Sequence, residues 1–515
     1  MEKIIIVEAL STGFNLIEDC VNRGYEPVIL ETYIPDEKGR ELIEKDRAAK
    51  YIRLKRDVKK IRADADYAKT LEMVRAEKPL LVIPGNEDGV ILATRLGDDL
   101  ELPGNSYKNI DKMTDKSEQQ KALERAGLRS IRGKVVKTEA EAAAYFDSLG
   151  SEDVVVKPIR GVCSVGVRLC HGKEEMLTAF RENQGAVGGL FQRESEMLIQ
   201  ERIIGIEYIV NTLVCKGKIT VTSIWEYEKV RLSNGSNIYR GMRLITEMNA
   251  CYYELVQYAY KVTKAIGITH GPVHGEYMID KDGPVLIEAN CRCMGSSFPA
   301  AYGDAIYGHH ETDLALDSYL DGSRFEEFEK TGYQPKMHAM LKDLAASASM
   351  SISSSPIIQF LPSLKSYFTS LMQTAAITDS IEKTIDLETT LGTVYMCHKD
   401  RAVLEKDYQL LCILEHDYFG LLHNANKDSR YFLRGKEYDD LEDLYFELKS
   451  MSSELKAGEK ISFTRDEINK FPYGLAGFSI IMHIFDMKLL LPRYEQGTSV
   501  LFEKKAAECQ AVKEK

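Results

Sequence analysis

Acidic and amide side chains alternate along 274-HGEYMIDKDGPVLIEANCR-292, near the middle of the chain. This stretch is typical of two β-strands joined at Asp-Gly, and we predict a three-residue loop at 281–283. In that register Glu276 lies directly opposite Glu288, and two facing carboxylates repel each other. A cation between them is therefore expected. A two-residue turn would shift the register by one residue and separate the pair.

The alternation of side chains in a strand divides this hairpin into two faces. One face is apolar and fit for a core: Val273, Tyr277, Ile279, Val285, Ile287, Ala289 and Cys291. The other face is polar: His274, Glu276, Glu288, Asn290 and Arg292. Two carboxylates and an amide oxygen are hard ligands, the set that Mg²⁺ takes when it also holds phosphates. Taken alone, the hairpin is equally compatible with a polar face that points to water.

Length and composition indicate a globular chain with several domains. The chain has 515 residues, of which 44% are hydrophobic and 28% are charged. That length suits about three or four domains of ordinary size. The net charge is −12 and the pI is about 5.5, so there is no general attraction for nucleic acid or acidic lipid. The ten cysteines include no Cys-x-x-Cys pair, which argues against a structural zinc site.

The sequence predicts neither export nor membrane insertion. Its first residues include Glu2, and their short apolar run fits a strand rather than a signal peptide. The longest late apolar run, 476–492, is interrupted by His483, Asp486 and Lys488 and is too short to span a bilayer. We therefore expect a cytoplasmic protein with reduced thiols and with neither a membrane nor a nucleic-acid partner.

The first part of the chain predicts an α/β layer. Buried strands are expected at 3–7, 27–31 and 79–84, separated by helical patterns, and this alternation favours a parallel sheet. The loop 85–90 follows the third of these strands, at the edge where such sheets bind ligands. Residues 11–13 lack the glycine pattern of a phosphate loop, so an ordinary strand-to-helix turn is expected there.

Lys116 lies in the first turn of a predicted helix over 115–126. Asp115 and Glu118 are spaced as a capping pair, and Gly127 is placed to end the helix. The dipole at this end of a helix favours an anion, which a lysine nearby would also bind. The alternative is an ordinary lysine exposed to solvent.

Lys157 closes a predicted buried strand and is followed by the loop 161–166, which contains two glycines. Glycine lets backbone N–H groups approach phosphate oxygens closely. The alternative for this segment is a plain glycine hairpin with a surface lysine.

The rest of the chain alternates between strands and helices. The segment 197–210 predicts a strand, a short connector whose free backbone groups suit an adenine edge, and a second strand. Strands are expected at 206–215, 219–226 and 393–397, helices at 251–266 and 404–414, and a serine-rich linker at 345–356. From about residue 430 the pattern is helical and irregular.

The order of these segments resembles the ATP-grasp superfamily. Lys116 comes first, followed by Lys157 with its glycine loop, 200-QERI-203, Glu207, Glu276 and 288-EANCR-292. The resemblance covers about residues 3–320. Within the superfamily, 84-PGNEDGV-90, 101-ELPGN-105 and 270-HGPVHGEYMID-280 resemble the L-amino acid ligases that make dipeptides, and residues 390–420 resemble part of their C-terminal subdomain.

The resemblance implies a nucleotide and metal site. Lys116 and Lys157 would contact ATP phosphates, and the backbone of the loop with Gly161, Ser164 and Gly166 would cover them as a lid. Glu201 and the Ile203 backbone would hold adenine, and Glu207 would bind ribose hydroxyls. Two Mg²⁺ ions, with Mn²⁺ as an alternative, would be carried by Glu276, Glu288 and Asn290.

The resemblance also implies catalytic and substrate residues. Arg292 would stabilise the phosphate or a tetrahedral intermediate, and Lys157 would share that catalytic role. Glu87, His274 and Ser296 would lie at the amino-acid pocket. The implied reaction is ATP-dependent ligation of an amino acid or related carboxylate to an amine through an acylphosphate, which gives a dipeptide-like amide, ADP and phosphate. Such chemistry needs positioning and charge neutralisation more than a protein nucleophile.

The implied fold is an α/β ATP-grasp fold with α+β sandwich elements, a Rossmann-like N-terminal domain, a lid subdomain and a C-terminal extension. We predict five parts: an N-terminal domain at 1–112, a lid subdomain at 113–203, a metal-binding core at 204–325, a C-terminal ligase subdomain at 326–430 and an extension at 431–515. A homodimer is compatible with this arrangement.

Two other functions are considered. A carboxylase of the same superfamily is disfavoured because the chain has no Met-Lys-Met for biotin attachment. A nucleotide-binding regulatory or scaffold protein would have lost a metal carboxylate or a phosphate lysine, and neither is missing. The small residues 293-CMGSSFP-299 differ from the bulkier pocket wall of some dipeptide ligases, so the resemblance does not identify the two substrates.

Overall fold

We describe the protein from a computed structural model. The description covers the whole chain except residues 36, 53, 55, 151, 161–165, 184–195, 232–236, 347–348, 350–360, 373–382, 386, 388, 425–430, 435, 439–440, 465–466, 469–477, 479–481, 483–484, 486, 491–499 and 506–515.

The chain divides into two compact units. The first unit comprises residues 1–340 and 385–388, and the second comprises 341–384 and 389–515. All the residues that we predicted to form the site belong to the first unit. The finer boundaries predicted after 112, 203, 325 and 430 stay predictions.

The first unit begins with a parallel sheet of four strands, as the sequence predicts. Its strands run in the order β3-β2-β1-β4, with helices packed on both sides. A core on each face holds the layer together, because β1, β2 and β4 are largely buried on both sides, whereas β3 at the edge is mostly exposed. The elements are β1 Lys3–Val7, α1 Asn15–Asn22, β2 Glu26–Glu31, α2 Glu37–Tyr51, β3 Lys59–Arg62, α3 Tyr67–Ala76, β4 Pro79–Pro84 and α4 Val90–Asp99.

Two short helices, α5 Ile110–Thr114 and α6 Lys116–Arg125, lead out of this layer. The Asp115 carboxylate caps α6 by accepting hydrogen bonds from the backbone N–H groups of Ser117 and Glu118 at 2.8 and 3.1 Å. Gly127 follows the helix with a φ of +68°, a conformation that favours glycine. The helix and both of its predicted ends are therefore confirmed.

A second sheet of the first unit is antiparallel and has the order β5-β8-β6-β7. Two helices cover one of its faces and share an apolar core with it. The elements are β5 Gly133–Val136, α7 Glu139–Leu149, β6 Asp153–Pro158, β7 Arg168–His171, α8 Gly172–Asn183 and β8 Met197–Glu201.

A third sheet carries most of the predicted site. Within the first unit its strands run in the order β13-β12-β9-β10-β11, and a large apolar core lies between it and α9. As predicted, α9 ends at Gly267, which has a φ of +87°. The elements are β9 Ile206–Cys215, β10 Lys218–Arg231, β11 Asn237–Leu244, α9 Ala250–Ile266, β12 Gly271–Asp280, β13 Gly283–Asn290, α10 Ala300–Tyr307, α11 Glu311–Tyr319 and α12 Ser323–Thr331.

Among its described residues the second unit contains two helices, two small sheets and three further strands that pair with one another. The predicted strand at 393–397 and helix at 404–414 are confirmed within β16 and α13. After residue 430 the predicted helical pattern is met, in the described part of the chain, by the helix at 441–453 alone, and five short strands there were not predicted. The elements are β14 His338–Leu344, β15 Tyr367–Met372, β16 Gly392–His398, α13 Arg401–Asn424, β17 Tyr431–Leu433, β18 Lys436–Tyr438, α14 Leu441–Ser453, β19 Lys460–Phe463, β20 Met487–Leu490 and β21 Val500–Lys504. Most of the predicted serine-rich linker lies outside the described residues.

None of the helices in the described part of the chain is both long and apolar enough to cross a membrane.

Candidate active site

The hairpin of β12 and β13 places Glu276 directly opposite Glu288, as predicted. The predicted three-residue loop is wrong. Asp280 pairs with Gly283 across a two-residue turn, and a bulge after Glu276 restores the facing pair. The bulge adds one residue to β13, so Leu286 rather than Ile287 packs into the core. A two-residue turn and a bulge together produce the register that we expected from a longer turn.

Each of these facing carboxylates is held by its own partners. The Lys116 ammonium lies 2.7 Å from Glu288, and the Asn290 amide donates a hydrogen bond to Glu288 at 3.1 Å. The Tyr227 hydroxyl donates to Glu276 at 2.9 Å, and His274 Nε2 lies 3.5 Å from the same carboxylate. The cation beside Glu288 is therefore the protein's own Lys116. Glu276 is held instead by the hydroxyl of Tyr227 and the ring of His274.

Both carboxylates stay ionised despite their burial. Burial opposes charge at Glu288, but the ammonium of Lys116 outweighs it and lowers the pKa of the carboxyl. Burial acts in the same direction at Glu276, where the hydrogen bond with His274 and the charge of Lys229 lower the pKa well below its usual range. The hairpin therefore presents two negative charges to the interior of the site.

This donor set suits a divalent metal ion. The described residues contain no group of three or more His, Cys, Asp or Glu side chains that could bind a metal unaided. Glu276 of β12 and Glu288 and Asn290 of β13 nevertheless provide two ionised carboxylates and an amide oxygen on one face of the hairpin. Mg²⁺ commonly takes only one or two protein carboxylates and completes its shell with phosphates and water. The residues present therefore fit a Mg²⁺ that arrives with a nucleotide.

Lys157 lies at the end of β6 with a side chain that is only 5% exposed. Burial lowers the pKa of Lys157 to about 8, and the ammonium of Lys116 adds to this effect. Among the described residues, its ammonium group makes neither a hydrogen bond nor an ion pair. A buried cation without a partner is costly, so Lys157 is poised to bind an anion that enters the site.

The loop after Lys157 is described only in part. Gly161 and Ser164, predicted to belong to a phosphate lid, lie outside the described residues. Gly166 has a φ of +74°, and its carbonyl accepts a hydrogen bond from the Asn183 side chain at 2.8 Å. The end of the loop is therefore fixed to α8, and the lid itself stays a prediction.

In the connector after β8, the Arg202 N–H donates to the carbonyl of Asp153, the first residue of β6, at 3.3 Å. Ile203 lies in this connector between β8 and β9. The side chain of Glu201 is occupied, because the backbone and guanidinium of Arg132 donate to it at 2.9 and 2.8 Å. Its backbone N–H is occupied too, because it donates to the Arg132 carbonyl at 3.0 Å, so the adenine role of Glu201 stays a prediction.

Glu207 also has a partner that the sequence did not predict. The Lys229 ammonium lies 2.6 Å from Glu207 and 4.3 Å from the centroid of the Tyr227 ring. Burial raises the pKa of the Glu207 carboxyl in spite of Lys229. Lys229 and Tyr227 lie on β10 and were missed because nothing in their local pattern separates them from ordinary strand residues.

Glu87 and Arg292 meet although 205 residues separate them in the chain. The Arg292 guanidinium donates to the Glu87 carboxylate at 3.2 Å. Burial raises the pKa of Glu87 and Arg292 opposes this shift. The loop after β4 therefore contributes directly to the site.

His274 is buried and linked to the loop that follows Arg292. Its Nδ1 lies 2.8 Å from the Asn211 side-chain oxygen, and the amide of Asn211 lies 3.5 Å from Met294 Sδ. Burial lowers the pKa of His274. Asn211 is a further residue that the sequence did not single out.

Ser296 lies in a loop that the N-terminal layer holds in place. Ser296 has a φ of +64°, a conformation that is costly without glycine. Thr12 supports the loop on both sides, because its hydroxyl donates to the Gly295 carbonyl at 2.8 Å and accepts from the Phe298 N–H at 2.9 Å. The turn at 11–13 is thus the ordinary strand-to-helix turn that we predicted, and it positions a loop of the site.

Fold and site together resemble those of ATP-grasp enzymes. Residues 151–299 match the family described as "ATP-grasp domain". The chain has the ATP-grasp fold within the α/β class and resembles L-amino acid ligases.

Two curated relatives illustrate the range of the similarity. The chain is 27% identical to Dapdiamide A synthase of Enterobacter agglomerans over 326 residues, which are 63% of this chain and 74% of that protein. It is 26% identical to the carbamoyl phosphate synthase large chain of Deinococcus radiodurans over 289 residues. That second match covers 50% of this chain and 27% of the relative, so the chain spans about a quarter of its length.

Two solved structures share the fold. The L-amino acid ligase from Bacillus licheniformis has a TM-score of 0.62 at 17% identity and covers 80% of this chain and 97% of its own. The N5-carboxyaminoimidazole synthetase from Staphylococcus aureus, complexed with ADP, has a TM-score of 0.57 at 16% identity and covers 80% and 96%.

Proposed function

We propose that the protein joins the carboxylate of an amino acid to an amine in an ATP-dependent reaction that passes through an acylphosphate. The observation that supports this most strongly is the buried ammonium of Lys157, which has no partner among the described residues and lies near Lys116 and the two facing carboxylates. This arrangement combines phosphate-binding cations with oxygen ligands for a metal, which is what phosphoryl transfer requires.

In this proposal Lys157 and Lys116 bind the ATP phosphates, the backbone of 201–203 borders the adenine, and Glu207 binds the ribose. Lys116 then exchanges part of its ion pair with Glu288 for a phosphate. Glu276, Glu288 and Asn290 hold Mg²⁺, which neutralises phosphate charge when it is bound.

The reaction has two steps with no covalent enzyme intermediate. A carboxylate oxygen of the substrate attacks the γ-phosphorus, and the bond from phosphorus to the ADP oxygen breaks. The nitrogen of the amine then attacks the carbonyl carbon, phosphate leaves with the bonding electrons, and the nitrogen loses a proton. Arg292 lies just after β13 and contacts Glu87 of the site, and it holds the negative charge that develops on the phosphate or carbonyl oxygen.

The relatives support an amide-forming ligase with small-molecule substrates. One is named an L-amino acid ligase and another Dapdiamide A synthase, and we infer from them an amino acid or a related carboxylate as the first substrate. A cytoplasmic location is a further part of the proposal, supported by the sequence alone, and a homodimer is compatible with it.

Phosphate release from ATP with single amino acids as substrates tests this function. We expect one or more of them to stimulate release, and hydroxylamine without a second substrate to trap the acylphosphate as a hydroxamate. Lys157→Met should abolish both signals, whereas Lys134→Met, at an exposed position of the same sheet, should leave them unchanged. Turnover that requires bicarbonate would support the carboxylase instead, and ATP binding without turnover would support a regulatory protein.

A further inference from the structure

Three buried hydrogen-bonding atoms on separate elements have no partner in the described part of the chain: Trp225 Nε1, Tyr307 Oη and Glu311 Oε1. They belong to β10, α10 and α11. A buried polar atom without a partner costs about 1–3 kcal/mol, and such atoms are rare in native proteins. Three of them in one region indicate a place that a ligand completes.

The side chains that carry these atoms lie around the loop 293–298. The rings of Trp225 and Tyr307 have centroids 6.4 Å apart, and Trp225 lies 6.1 Å from Phe298. The other oxygen of the Glu311 carboxylate accepts a hydrogen bond from the Met294 N–H at 3.1 Å. The loop therefore joins the carboxylate to the aromatic side chains.

A continuous series of contacts connects this place to the metal-binding carboxylates. Glu276 lies 3.5 Å from His274, and His274 lies 2.8 Å from Asn211. The Asn211 amide lies 3.5 Å from the sulfur of Met294, whose backbone contacts Glu311. Arg292 is two residues before Met294 and close enough for its charge to act on Glu311.

The chemistry of the Glu311 oxygen favours a cation, whereas the indole N–H of Trp225 can only donate and requires an acceptor, such as a carboxylate oxygen of the same ligand. A carboxylate can only accept hydrogen bonds when it is ionised, so Oε1 of Glu311 requires a donor. The faces of Trp225 and Tyr307 attract cations as well. Burial raises the pKa of Glu311 to about 7, and an ammonium group beside it would favour the ionised form.

We propose that Glu311 binds the α-ammonium group of the amino acid whose carboxylate is phosphorylated, in a pocket lined by Tyr307 and Trp225. This inference rests on the proposed ligase function. An α-amino acid carries its two charged groups one carbon apart. Arg292 lies two residues before Met294, whose N–H donates to Glu311, so a carboxylate-binding cation and a carboxylate lie next to the same loop.

The single tryptophan of the chain provides a direct reporter, because it lies in the proposed pocket. The protein, with Mg²⁺ and a non-hydrolysable ATP analogue, is titrated with each amino acid while Trp225 fluorescence is recorded. The same titration uses the matching 2-hydroxy acid, which keeps the carboxylate but replaces the ammonium with a hydroxyl. We expect the wild-type protein to bind the amino acid more tightly.

Glu311→Gln removes the charge and keeps the shape. We expect it to weaken binding of the amino acid by about 10- to 100-fold, with little change for the hydroxy acid. Glu174→Gln, at an exposed position near the start of α8, is the matched control and should bind as the wild type does. If Glu311→Gln does not fold, Tyr307→Phe replaces it in the titration. We expect Tyr307→Phe to weaken binding of the amino acid by a smaller factor and to leave binding of the hydroxy acid unchanged.

Hydroxamate formation separates this inference from the proposed function. With hydroxylamine as acceptor, Glu311→Gln should raise the KM for the amino acid and leave the KM for ATP unchanged. Equal effects on the amino acid and its hydroxy analogue, or an effect only on the second amine, would overturn the ammonium site while the ligase function stands. If no carboxylate supports turnover in the wild type, the function fails, and the fluorescence titration alone decides whether the pocket binds an ammonium group.

Discussion

At the scale of single residues, Glu288 shows how a structure can reverse an expectation drawn from sequence. The facing pair alone suggests that removing one carboxylate relieves repulsion and stabilises the metal-free protein. The ion pair of Glu288 with Lys116 at 2.7 Å reverses this expectation, because the substitution removes a carboxylate that stabilises the buried ammonium of Lys116. Breaking a buried pair on one side is strongly destabilising.

We therefore predict that Glu288→Gln lowers the stability of the metal-free protein by about 3 kcal/mol and lowers ligation at least about 100-fold. Urea unfolding without metal and phosphate release at several Mg²⁺ concentrations would measure the two effects. Glu118→Gln is the control, since Glu118 pairs with Lys121 at the surface and such pairs contribute at most about 1 kcal/mol. Unchanged Mg²⁺ dependence in Glu288→Gln would refute its role as a ligand.

Much of the site could be predicted from residue order, but not the partners of its residues. The strand period places Glu276, Glu288, Asn290 and Arg292 on one face, and that grouping is local. Glu207 and Lys229 pair across two neighbouring strands of one sheet, β9 and β10, and Arg292 contacts Glu87, 205 residues earlier in the chain. The first pair depends on the register between strands and the second on how separate layers pack, and no local pattern encodes either.

At the scale of elements, turn length and strand register must be considered together. The predicted loop of β12 and β13 was one residue too long, yet the facing pair was correct because the bulge compensates. A bulge leaves no sequence signal as clear as an Asp-Gly turn. The parallel strands at 3–7, 27–31 and 79–84 could be predicted because their apolar runs are continuous, as expected for strands buried on both faces.

The loops after β1 and β4 approach so closely that only glycine fits between them. A Cβ on Gly13 would lie 2.7 and 2.9 Å from the backbone C and Cα of Gly85. We predict that Gly13→Ala destabilises the protein by about 1–3 kcal/mol and raises the KM for the carboxylate substrate, because Thr12 supports the loop 293–298. Thermal unfolding and initial rates would measure these effects.

Gly104→Ala is the matched control for this change. A Cβ on Gly104 meets no described atom within 4 Å, so its unfolding temperature and KM should equal those of the wild type. If Gly13→Ala and Gly104→Ala had the same unfolding temperature and the same KM, the close contact between the two loops would not contribute to stability or substrate binding.

The contact between α1 and α11 predicts a pH dependence. His310, which precedes α11, lies 2.9 Å from Asp19 and 2.8 Å from Asp304. Burial lowers the pKa of His310, but the hydrogen bonds and charges of the two carboxylates outweigh burial and raise the pKa to about 9. In the unfolded chain the pKa is about 6.5. This stabilisation is therefore complete below about pH 6.5 and is lost as the pH rises through about 9.

We predict that His310→Gln destabilises the protein by about 2–3 kcal/mol at pH 6 and much less at pH 10. Unfolding free energies of both proteins across that range isolate the histidine from other groups that titrate. A difference that stays constant with pH would show that His310 contributes only packing.

At the scale of the whole molecule, a chain with a net charge of −12 keeps few charges inside. In the first unit the buried charged side chains belong to the proposed site, where they would bind ligands. In the second unit the Lys342 ammonium and the Glu415 carboxylate are 0% and 1% exposed and lie 2.9 Å apart. The same lysine donates to the Asp343 carbonyl at 2.7 Å, and the Ala345 N–H donates to Glu415 at 2.6 Å.

The two charged groups of this pair also make these backbone hydrogen bonds, so a double-mutant cycle measures the pair together with them. Lys342→Met removes the ammonium beside the buried Glu415 carboxylate, and we expect a loss of about 3–5 kcal/mol in unfolding free energy. Lys342→Met combined with Glu415→Leu removes both charges and should recover part of that loss, since apolar residues can replace a buried pair but leave the Asp343 carbonyl and the Ala345 N–H without these hydrogen bonds. Lys460→Met, at an exposed pair of the same unit, should change stability by less than about 0.5 kcal/mol. A double variant as unstable as Lys342→Met would mean that the ion pair itself, rather than the avoidance of a lone buried charge, stabilises the second unit.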